Sequence, residues 1–405
     1  MMRRRFLNLV TEFIGDTGVY SLRRINLSCH LFYPSPLAAE AATARTEAAI
    51  QANAEMQSGY KHGLRHLQTI ATTLGPLPPA EINLKPCCSN HARDHFDVVT
   101  LLGDESRILC SDTAGRTSLY DADSHSVMTV PNLRAPKARG SIPISIAADG
   151  SAAGAGQRER LYVMGRWLHP DLRDYCFEEL RHEGGQDLFS ALDLFRGWRT
   201  LPPPPADELP DDIDSYTVVG GSTIYVSSTT PGIGTYAFDT ESWNWWHADN
   251  WSLPFSGKAE YVPELKLWFG LCASRPFHLC AFDLSAVDFE RPPAVVHTWV
   301  DLDMPKSWSP FQLDLINLGS GRFCVVKMFR CTRPPFEMEM GFSDEEDSND
   351  DEALDCRDVI HWKFAILTGI EIVGCDGEAA PGKLRMLKHM SKYHIFEDDS
   401  IKWVL

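Results

Sequence analysis

Four cysteine and histidine side chains lie close together in the sequence and could hold a metal ion: Cys87, Cys88, His91 and His95. A structural zinc site needs two separated ligand pairs, and the spacing of His91 and His95 satisfies the second of them. The adjacent cysteines do not satisfy the first, because neighbouring side chains point apart on an extended chain. We therefore predict no metal and no cofactor, and we assign this segment to a loop.

A dense acidic run near residue 350 imitates the beginning of a calcium-binding loop, with Asp347, Asn349 and Asp351 at alternate positions. In a calcium loop of the EF-hand type, the sixth position is Gly and the twelfth is Glu. Those positions here hold Glu352 and Asp358, so the pattern excludes an EF-hand.

The same acidic run predicts a solvated, disordered loop over residues 341–357, since closely spaced like charges repel one another. Ser343 and Ser348 are followed by acidic residues. Both are candidate phosphorylation sites for a kinase that prefers acidic surroundings.

The sequence contains no recognisable catalytic motif. The G-x-S-x-G nucleophile motif is absent, no cysteine lies in a protease-like context, and the fourteen histidines are scattered. We therefore predict that the protein is not an enzyme. A copper site of the galactose oxidase type would need Tyr and His from several strands, and sequence spacing cannot establish such a convergence.

The elements that must position any site are short strands that recur along the chain. Five apolar segments each open on a polar residue: Arg107–Asp112, Arg160–Gly165, Thr223–Ser228, Lys266–Leu271 and Arg322–Lys327. Several are followed by a second strand that ends in an acidic turn: Leu119–Asp121, Tyr236–Asp239 and Cys280–Asp283. Such a unit, repeated every ~40–60 residues, predicts an all-β fold of the β-propeller type.

The spacing of these units predicts five internal blades, followed here by their approximate bounds: 82–133, 141–202, 213–254, 257–304 and 311–374. The strands near residues 6–27 and 384–405 make no complete blade alone. We expect them to combine, since an unclosed sheet edge invites aggregation. The prediction is one domain over residues 1–405, a six-bladed propeller closed by N- and C-terminal strands, with a partly helical or mobile insertion at 35–79.

Composition limits the partners. The formal net charge of -17 disfavours binding to nucleic acid, which needs clustered Lys and Arg. No apolar run approaches the length of a membrane-spanning helix, so no membrane contact is expected. Eleven cysteines, an odd number and mostly within strand-like runs, suit free thiols in the cytoplasm or nucleus. We expect a monomer.

Two resemblances to known families rest on short motifs. Gly220-Gly221 with the run Tyr236–Trp243 resembles the kelch repeat. Four further segments look like the plant domain of unknown function 1668 family: Arg4–Val10, Val19–Ile25, Leu31–Pro34 and Met390–His394. That resemblance covers nearly the whole chain, and it implies a kelch-like propeller without an assigned activity.

The predicted function is a non-catalytic scaffold that recognises a protein partner through inter-strand loops. Residues 168–187 form a charged insertion, and four of its residues belong to types that dominate interfaces: Arg173, Tyr175, Phe177 and Arg181. The aromatic cluster from Trp243 to Trp251 is either core packing or a second contact surface.

The alternative is a small-ligand or sugar-binding propeller, or an enzyme, that uses the central channel. A cluster of His, Asp, Glu, Tyr or Cys side chains at the channel mouth would favour this alternative. An apolar or Gly-lined channel would favour the scaffold.

Overall fold

The computed structural model of the protein describes residues 4–14, 18–54, 61–87, 95–137, 140–147, 159–166, 176–182, 195–205, 213–285, 292–332, 361–374 and 384–405. Within these ranges the fold is all-β. Helices occur only between the second and third strands of the described chain.

The first elements form an N-terminal strand pair and a helical insertion. In chain order they are β1 (Phe6–Phe13), β2 (Tyr20–Asn26), α1 (Leu27–His30), α2 (Pro36–Ala54), α3 (Lys61–Ile70), β3 (Thr72–Thr73) and β4 (Ile82–Leu84). Helix α2 lies where the alanine-rich composition predicts helix.

Five four-stranded antiparallel units follow in chain order, and we number them as sheets I to V. Sheet I contains β5 (Phe96–Leu102), β6 (Asp104–Asp112), β7 (Thr117–Asp121) and β8 (Ser126–Val130). Sheet II contains β9 (Ile142–Ala147), β10 (Glu159–Met164), β11 (Phe177–His182) and β12 (Phe195–Thr200). Sheet III contains β13 (Ser215–Val219), β14 (Thr223–Ser228), β15 (Gly234–Asp239) and β16 (Asn244–Asp249).

Sheet IV contains β17 (Phe255–Val262), β18 (Leu267–Cys272), β19 (Leu279–Asp283) and β20 (Ala294–Trp299). Two parallel residue pairs between β13 and β17 join sheets III and IV into one eight-stranded sheet. Sheet V contains β21 (Trp308–Gly319), β22 (Arg322–Thr332), β23 (His361–Gly374) and β24 (Leu384–Ile395). The short β3 adds to the edge of β24 as a fifth strand.

The two ends of the chain meet in one further sheet. Strand β25 (Asp399–Val404) pairs antiparallel with β1, and the strand order of this terminal sheet is β25-β1-β2-β4. The register places Leu9 opposite Val404 and Val10 opposite Trp403. The terminal sheet therefore combines one strand from the C-terminus with three strands from before sheet I.

Two strands belong to sheets other than those expected from the sequence. Ile82 was predicted to begin the first internal blade, but β4 pairs with β2 in the terminal sheet. Leu384 was predicted to join the closing sheet, but β24 pairs with β23 along almost its whole length. Apolar patterning identifies a strand without specifying its neighbour, which explains both errors.

Apolar clusters connect the sheets in a cyclic order. Among the described residues, six clusters each contain side chains from two neighbouring sheets. The terminal sheet packs against sheet I through Val10 and Ile108, and sheet I packs against sheet II through Val98 and Leu161. Sheets II and III meet at Phe177 and Phe238, and sheets III and IV meet at Tyr225 and Phe255. Sheets IV and V meet at Phe269 and Phe323, and sheet V packs against the terminal sheet through Val326 and Leu7. Face-to-face packing of successive four-stranded sheets is the arrangement found in β-propellers.

The acidic turns have a local role. The Asp121 carboxylate at the end of β7 accepts the backbone N–H groups of Asp123 and Ser124. The Asp239 carboxylate at the end of β15 likewise accepts the N–H groups of two residues in its turn. Asp is favoured in turns because its short side chain satisfies nearby backbone donors. These residues therefore shape hairpins, which is a structural rather than a catalytic role.

Fully buried ion pairs connect some of the sheets. Lys137, between sheets I and II, contacts Glu178 of β11, and both side chains are inaccessible to solvent. Lys327 Nζ of β22 lies 2.7 Å from Asp301 Oδ2, in the connection between sheets IV and V. A buried charge is costly without its partner, so each pair restricts how its two sheets can pack.

One further observation concerns the thiol state of the cysteines. The sequence predicts free cysteines, but Cys272 and Cys280 form a disulfide between β18 and β19. The error arises because cysteines eight residues apart become neighbours only when the hairpin pairs.

In the described part of the chain, no helix has the length and apolar character required to cross a lipid bilayer.

Replacing Ile401 by Ala should lower the free energy of unfolding by about 2–5 kcal/mol, the usual cost of truncating a buried Ile. Ile401 is 2% exposed in the cluster between sheet V and the terminal sheet. Chemical denaturation would measure the change, with Ser400→Ala as a control in the same strand. Equal stability of the two variants would contradict the pairing of the chain ends.

Candidate functional site

The first strands of neighbouring sheets lie side by side and bring polar side chains together. Tyr216 of β13 pairs in parallel register with Lys258 of β17, and β17 in turn contacts β21, which carries Asp314. These three side chains and Glu260 retain partial exposure to solvent. We call Tyr216, Lys258, Glu260 and Asp314 the axial cluster.

Two members of the axial cluster form an ion pair. Lys258 Nζ lies 2.6 Å from Glu260 Oε1, with side chains 38% and 22% exposed. Burial is the largest single effect and opposes both charges, but the attraction between the two side chains, together with smaller contributions from neighbouring groups, outweighs it. The net effect raises the pKa of Lys258 and lowers the pKa of Glu260. The pair therefore remains charged, and it offers a ligand one donor and one acceptor.

Asp314 differs because it forms no ion pair with another described residue, although the charge of Arg166 is close enough to act on it. Burial raises its pKa to about 6, although a hydrogen bond from Gln312 Nε2, 2.8 Å from Asp314 Oδ2, partly offsets the effect. The Gln312 amide also donates to the Lys402 carbonyl of β25 at 3.3 Å. Asp314 therefore changes charge close to neutral pH.

Tyr216 provides a neutral hydroxyl. Burial raises the pKa of its phenol, and the charges of Lys258 and Asp314 are close enough to act on it. Its hydroxyl has no hydrogen-bond partner among the described residues. The phenol therefore stays protonated and can both donate and accept a hydrogen bond.

A second group of charges lies where the first strands turn into the second strands. Burial lowers the pKa of Arg4, while Glu260, Glu105 and Glu159 act in the opposite direction. Glu159 Oε2 accepts the backbone N–H of Gly103 at 3.2 Å, and burial raises the pKa of Glu159. Carboxylates from sheets I, II and IV therefore converge toward one guanidinium group.

The chemistry of the axial cluster is that of hydrogen bonding to a polar molecule. The axial cluster, with the Gln312 amide beside Asp314, combines a carboxyl group, a phenol and an ion pair, which together offer several donors and acceptors. Ligand sites commonly combine a few converging polar groups with a surrounding wall of protein.

The structure corrects the predicted partner-contact residues. Phe177 is fully buried between sheets II and III, so it cannot contact a partner, and the prediction for it is wrong. Its position in β11 makes it a core residue. Arg181 is half-buried in β11 opposite Gly197. Arg173 and Tyr175 lie outside the described residues, as do Ser343, Ser348 and the acidic segment 341–357.

The described part of the Cys/His segment does not form a metal site. Cys87 is exposed, and its backbone N–H donates to Asp112 Oδ2. His95 Nε2 lies 3.2 Å from Asp97 Oδ1. Cys88 and His91 are outside the described ranges. Across the described residues, no group of three His, Cys, Asp or Glu side chains could hold a metal ion.

Sequence reasoning missed the axial cluster. The available signal was the presence of ionisable residues, such as Lys258 and Glu260, at alternate positions of strands otherwise rich in apolar residues. Alternation shows that these two side chains share a face. It does not show which face points toward the other first strands.

A comparison with protein families matches residues 4–394 to the family described as "Protein of unknown function (DUF1668)". No curated protein matches the chain.

Three solved structures show distant similarity. The major Malassezia sympodialis allergen Mala s 1 is 10% identical over 59% of this chain and 74% of that chain, with a TM-score of 0.35. The β-propeller domain of Myceliophteria thermophila Cps50 (Swd1) is 12% identical over 48% of this chain and 52% of that one, with a TM-score of 0.25. The Dos1 propeller is 10% identical over 59% of this chain and 56% of that one, with a TM-score of 0.31. This chain thus spans less than two thirds of the Cps50 and Dos1 chains.

Replacing Asp314 by Asn should stabilise the protein above pH 6 and leave its stability unchanged below about pH 4. The folded state raises the pKa of Asp314 from 3.8 to about 6, so wild-type stability falls as pH rises through this window. A shift of this size corresponds to at most about 3 kcal/mol, since each pKa unit is about 1.4 kcal/mol.

Denaturation between pH 4 and pH 7 would measure this difference. Asp283→Asn is a control of opposite sign, because hydrogen bonds from Ser285 lower the pKa of Asp283 and its charge therefore stabilises the fold at neutral pH. Parallel pH profiles for wild type and Asp314→Asn would show that the folded state does not raise the pKa of Asp314.

Proposed function

Since the chain belongs to the DUF1668 family of proteins of unknown function, we propose a function from its own geometry. The protein is a closed six-bladed β-propeller that binds a hydroxyl-rich small molecule, such as a sugar, in its axial channel. The axial cluster forms the binding site, and binding occurs without chemical conversion of the ligand.

The cyclic order of the apolar clusters supports six blades and closure. Each of the six four-stranded units packs against the next, and the last packs against the first through Val326, Leu367, Leu7 and Val404. The β25–β1 pairing supports closure by a blade that both chain ends share. In such a ring, the first strand of each blade faces a common axis.

The observation that carries the ligand proposal is the convergence of Tyr216, the Lys258–Glu260 pair and Asp314 from three consecutive sheets. An apolar channel would have favoured a simple scaffold. Instead the axial cluster has a phenol without a hydrogen-bond partner among the described residues, and a carboxyl group that accepts a hydrogen bond from Gln312. Sugar hydroxyls both donate and accept hydrogen bonds, which matches this mixture of groups.

Binding without catalysis is consistent with the state of the cluster. Lys258 and Glu260 are paired and charged, so neither group is poised as a nucleophile or a general base near neutral pH. The pKa of Asp314 would suit a general acid or base. The group next to it, the Gln312 amide, acts only as a hydrogen-bonding partner. Turnover of a bound ligand would overturn this part of the proposal.

A second candidate function is recognition of a protein partner through the loops. The observation that favours it is Trp243, whose indole is 41% exposed and lies against the Arg199 guanidinium at 4.5 Å from the ring centroid. Trp243 also has a positive φ of 58°, which a large side chain adopts with difficulty. Strand β12, which carries Arg199, is next to β11 with Arg181. Trp and Arg are the residue types that dominate protein interfaces.

The ligand proposal predicts that Tyr216→Phe weakens binding by about tenfold or more, because it removes one hydrogen-bonding hydroxyl from the site. Glucose, galactose, glucuronate and myo-inositol would serve as probes in calorimetric titrations and thermal-shift measurements. Tyr261→Phe is the matched control, since Tyr261 is an exposed phenol in the same blade as Lys258. The proposal is wrong if no probe binds, or if both phenol variants bind equally well.

The partner proposal predicts that Trp243→Ala removes a co-purifying protein while leaving the melting temperature nearly unchanged. Truncating a central exposed Trp commonly costs an interface at least 2 kcal/mol. Phe311→Ala is the control, because Phe311 is comparably exposed at 45% in sheet V. Quantitative mass spectrometry of captured proteins would compare the two variants. Retention of every partner by Trp243→Ala would exclude this surface.

A further inference from the structure

A large cleft lies outside the ring, between helix α2 and strand β24. Its volume is about 930 Å³, and the end of α3 and the strand β3 close one side. Small-molecule sites in proteins usually have volumes of about 300–1,000 Å³. This cleft is separate from the axial cluster, since it lies on the outer strand of sheet V.

Helix α2 packs on β24 with few of its side chains buried, and the cleft lies between the two elements. Of its described side chains only Ala39 is buried. Thr43 Oγ1 donates to the Lys388 carbonyl at 3.2 Å, and Arg385 forms an ion pair with Glu40. Small side chains of α2 such as Ala42 line the cleft and leave space that a larger side chain would fill.

Apolar side chains make up part of the wall of the cleft, beside polar and charged ones. Helix α2 contributes Ile50, the end of α3 contributes Ile70, and β24 contributes Met386 and Met390. Methionine side chains adapt to ligands of irregular shape because they are flexible and polarisable. The wall therefore suits the apolar body of a ligand.

Lys388 places a positive charge in this cleft. Burial lowers the pKa of its amine, with attraction to Asp301 as the largest opposing effect. Asp301 is already bound to Lys327 at 2.7 Å. Among the described residues, the Lys388 ammonium has no ion-pair or hydrogen-bond partner. A partly desolvated cation without a partner favours the binding of an anion.

Other charged groups face the cleft from each surrounding element. Helix α2 contributes Glu40, which is bound to Arg385, and the exposed Glu47. The connection before β21 contributes the exposed Asp303, and β24 contributes Lys392. The exposed carboxylates of Glu47 and Asp303 repel ligands that carry several negative charges.

We propose that this cleft binds a small amphipathic monoanion, a carboxylate or sulfonate with an apolar body. Its anionic group pairs with the Lys388 ammonium, and its apolar part contacts Ile50, Met386 and Met390. The site is independent of the axial cluster and can exist whether or not the axial channel binds a ligand.

The test uses the fluorescent probe anilinonaphthalene sulfonate with the full-length protein. The expected result is binding of one probe molecule, with a dissociation constant that rises about tenfold or more in Lys388→Met. Lys306→Met is the control, since Lys306 is an exposed lysine that does not line the cleft. The uncharged analogue phenylnaphthylamine should bind wild type and Lys388→Met equally.

A second variant locates the site without removing a charge. Ala42→Trp fills the cleft from a solvated helix and should abolish binding of both probes, whereas Tyr216→Phe should leave both unaffected. The melting temperature of Lys388→Met should not fall, because burial disfavours the charge on that amine. Unchanged sulfonate binding in Lys388→Met, or binding retained in Ala42→Trp, would overturn the proposal.

Discussion

The pairing of β25 with β1 is the constraint on which the arrangement of the sheets depends. It joins the C-terminus to a sheet that otherwise contains only residues from before sheet I. Leu7 and Leu9 from one end and Ile401 and Val404 from the other then form a single cluster against sheet V. Without β25, one edge of β1 would have unpaired backbone groups, which favour aggregation. The β25–β1 pairing thus satisfies hydrogen bonding and apolar burial together.

The same constraint accounts for the position of both candidate sites. In the closed propeller that we propose, the first strands face a common axis, which agrees with the position of the Lys258–Glu260 pair beside Tyr216. In that proposed propeller, the fourth strands lie on the outside, where an insertion can pack without disturbing the other blades. Helix α2 uses this freedom at β24 and leaves a cleft that contains Lys388. The axial cluster is formed by strands of the repeating sheets, whereas the cleft is formed by the helical insertion against β24.

Much of the sheet structure was predictable from the sequence, because each repeat shows short-range signals. The strand Thr223–Ser228 and the acidic turn at Asp239 occur where the pattern predicts them. Pairing partners were less predictable, as the positions of β4 and β24 show. The axial cluster was not predictable, because Tyr216, the Lys258–Glu260 pair and Asp314 are separated by tens of residues and meet only across sheets. Phe177 shows the opposite error. Its residue type and its place in segment 168–187 predicted a partner contact, but the side chain is buried in the core.

Hydrogen–deuterium exchange measured by mass spectrometry tests the closure of the ring most directly. In a closed ring, amide groups of β1 and β25 exchange only through global opening, with protection similar to that of β13 and β17. The account predicts equal, slow exchange in these four strands and a common dependence on denaturant. Fast exchange in β25 and β1, while β13 and β17 stay protected, would show an open chain end and contradict the closed propeller.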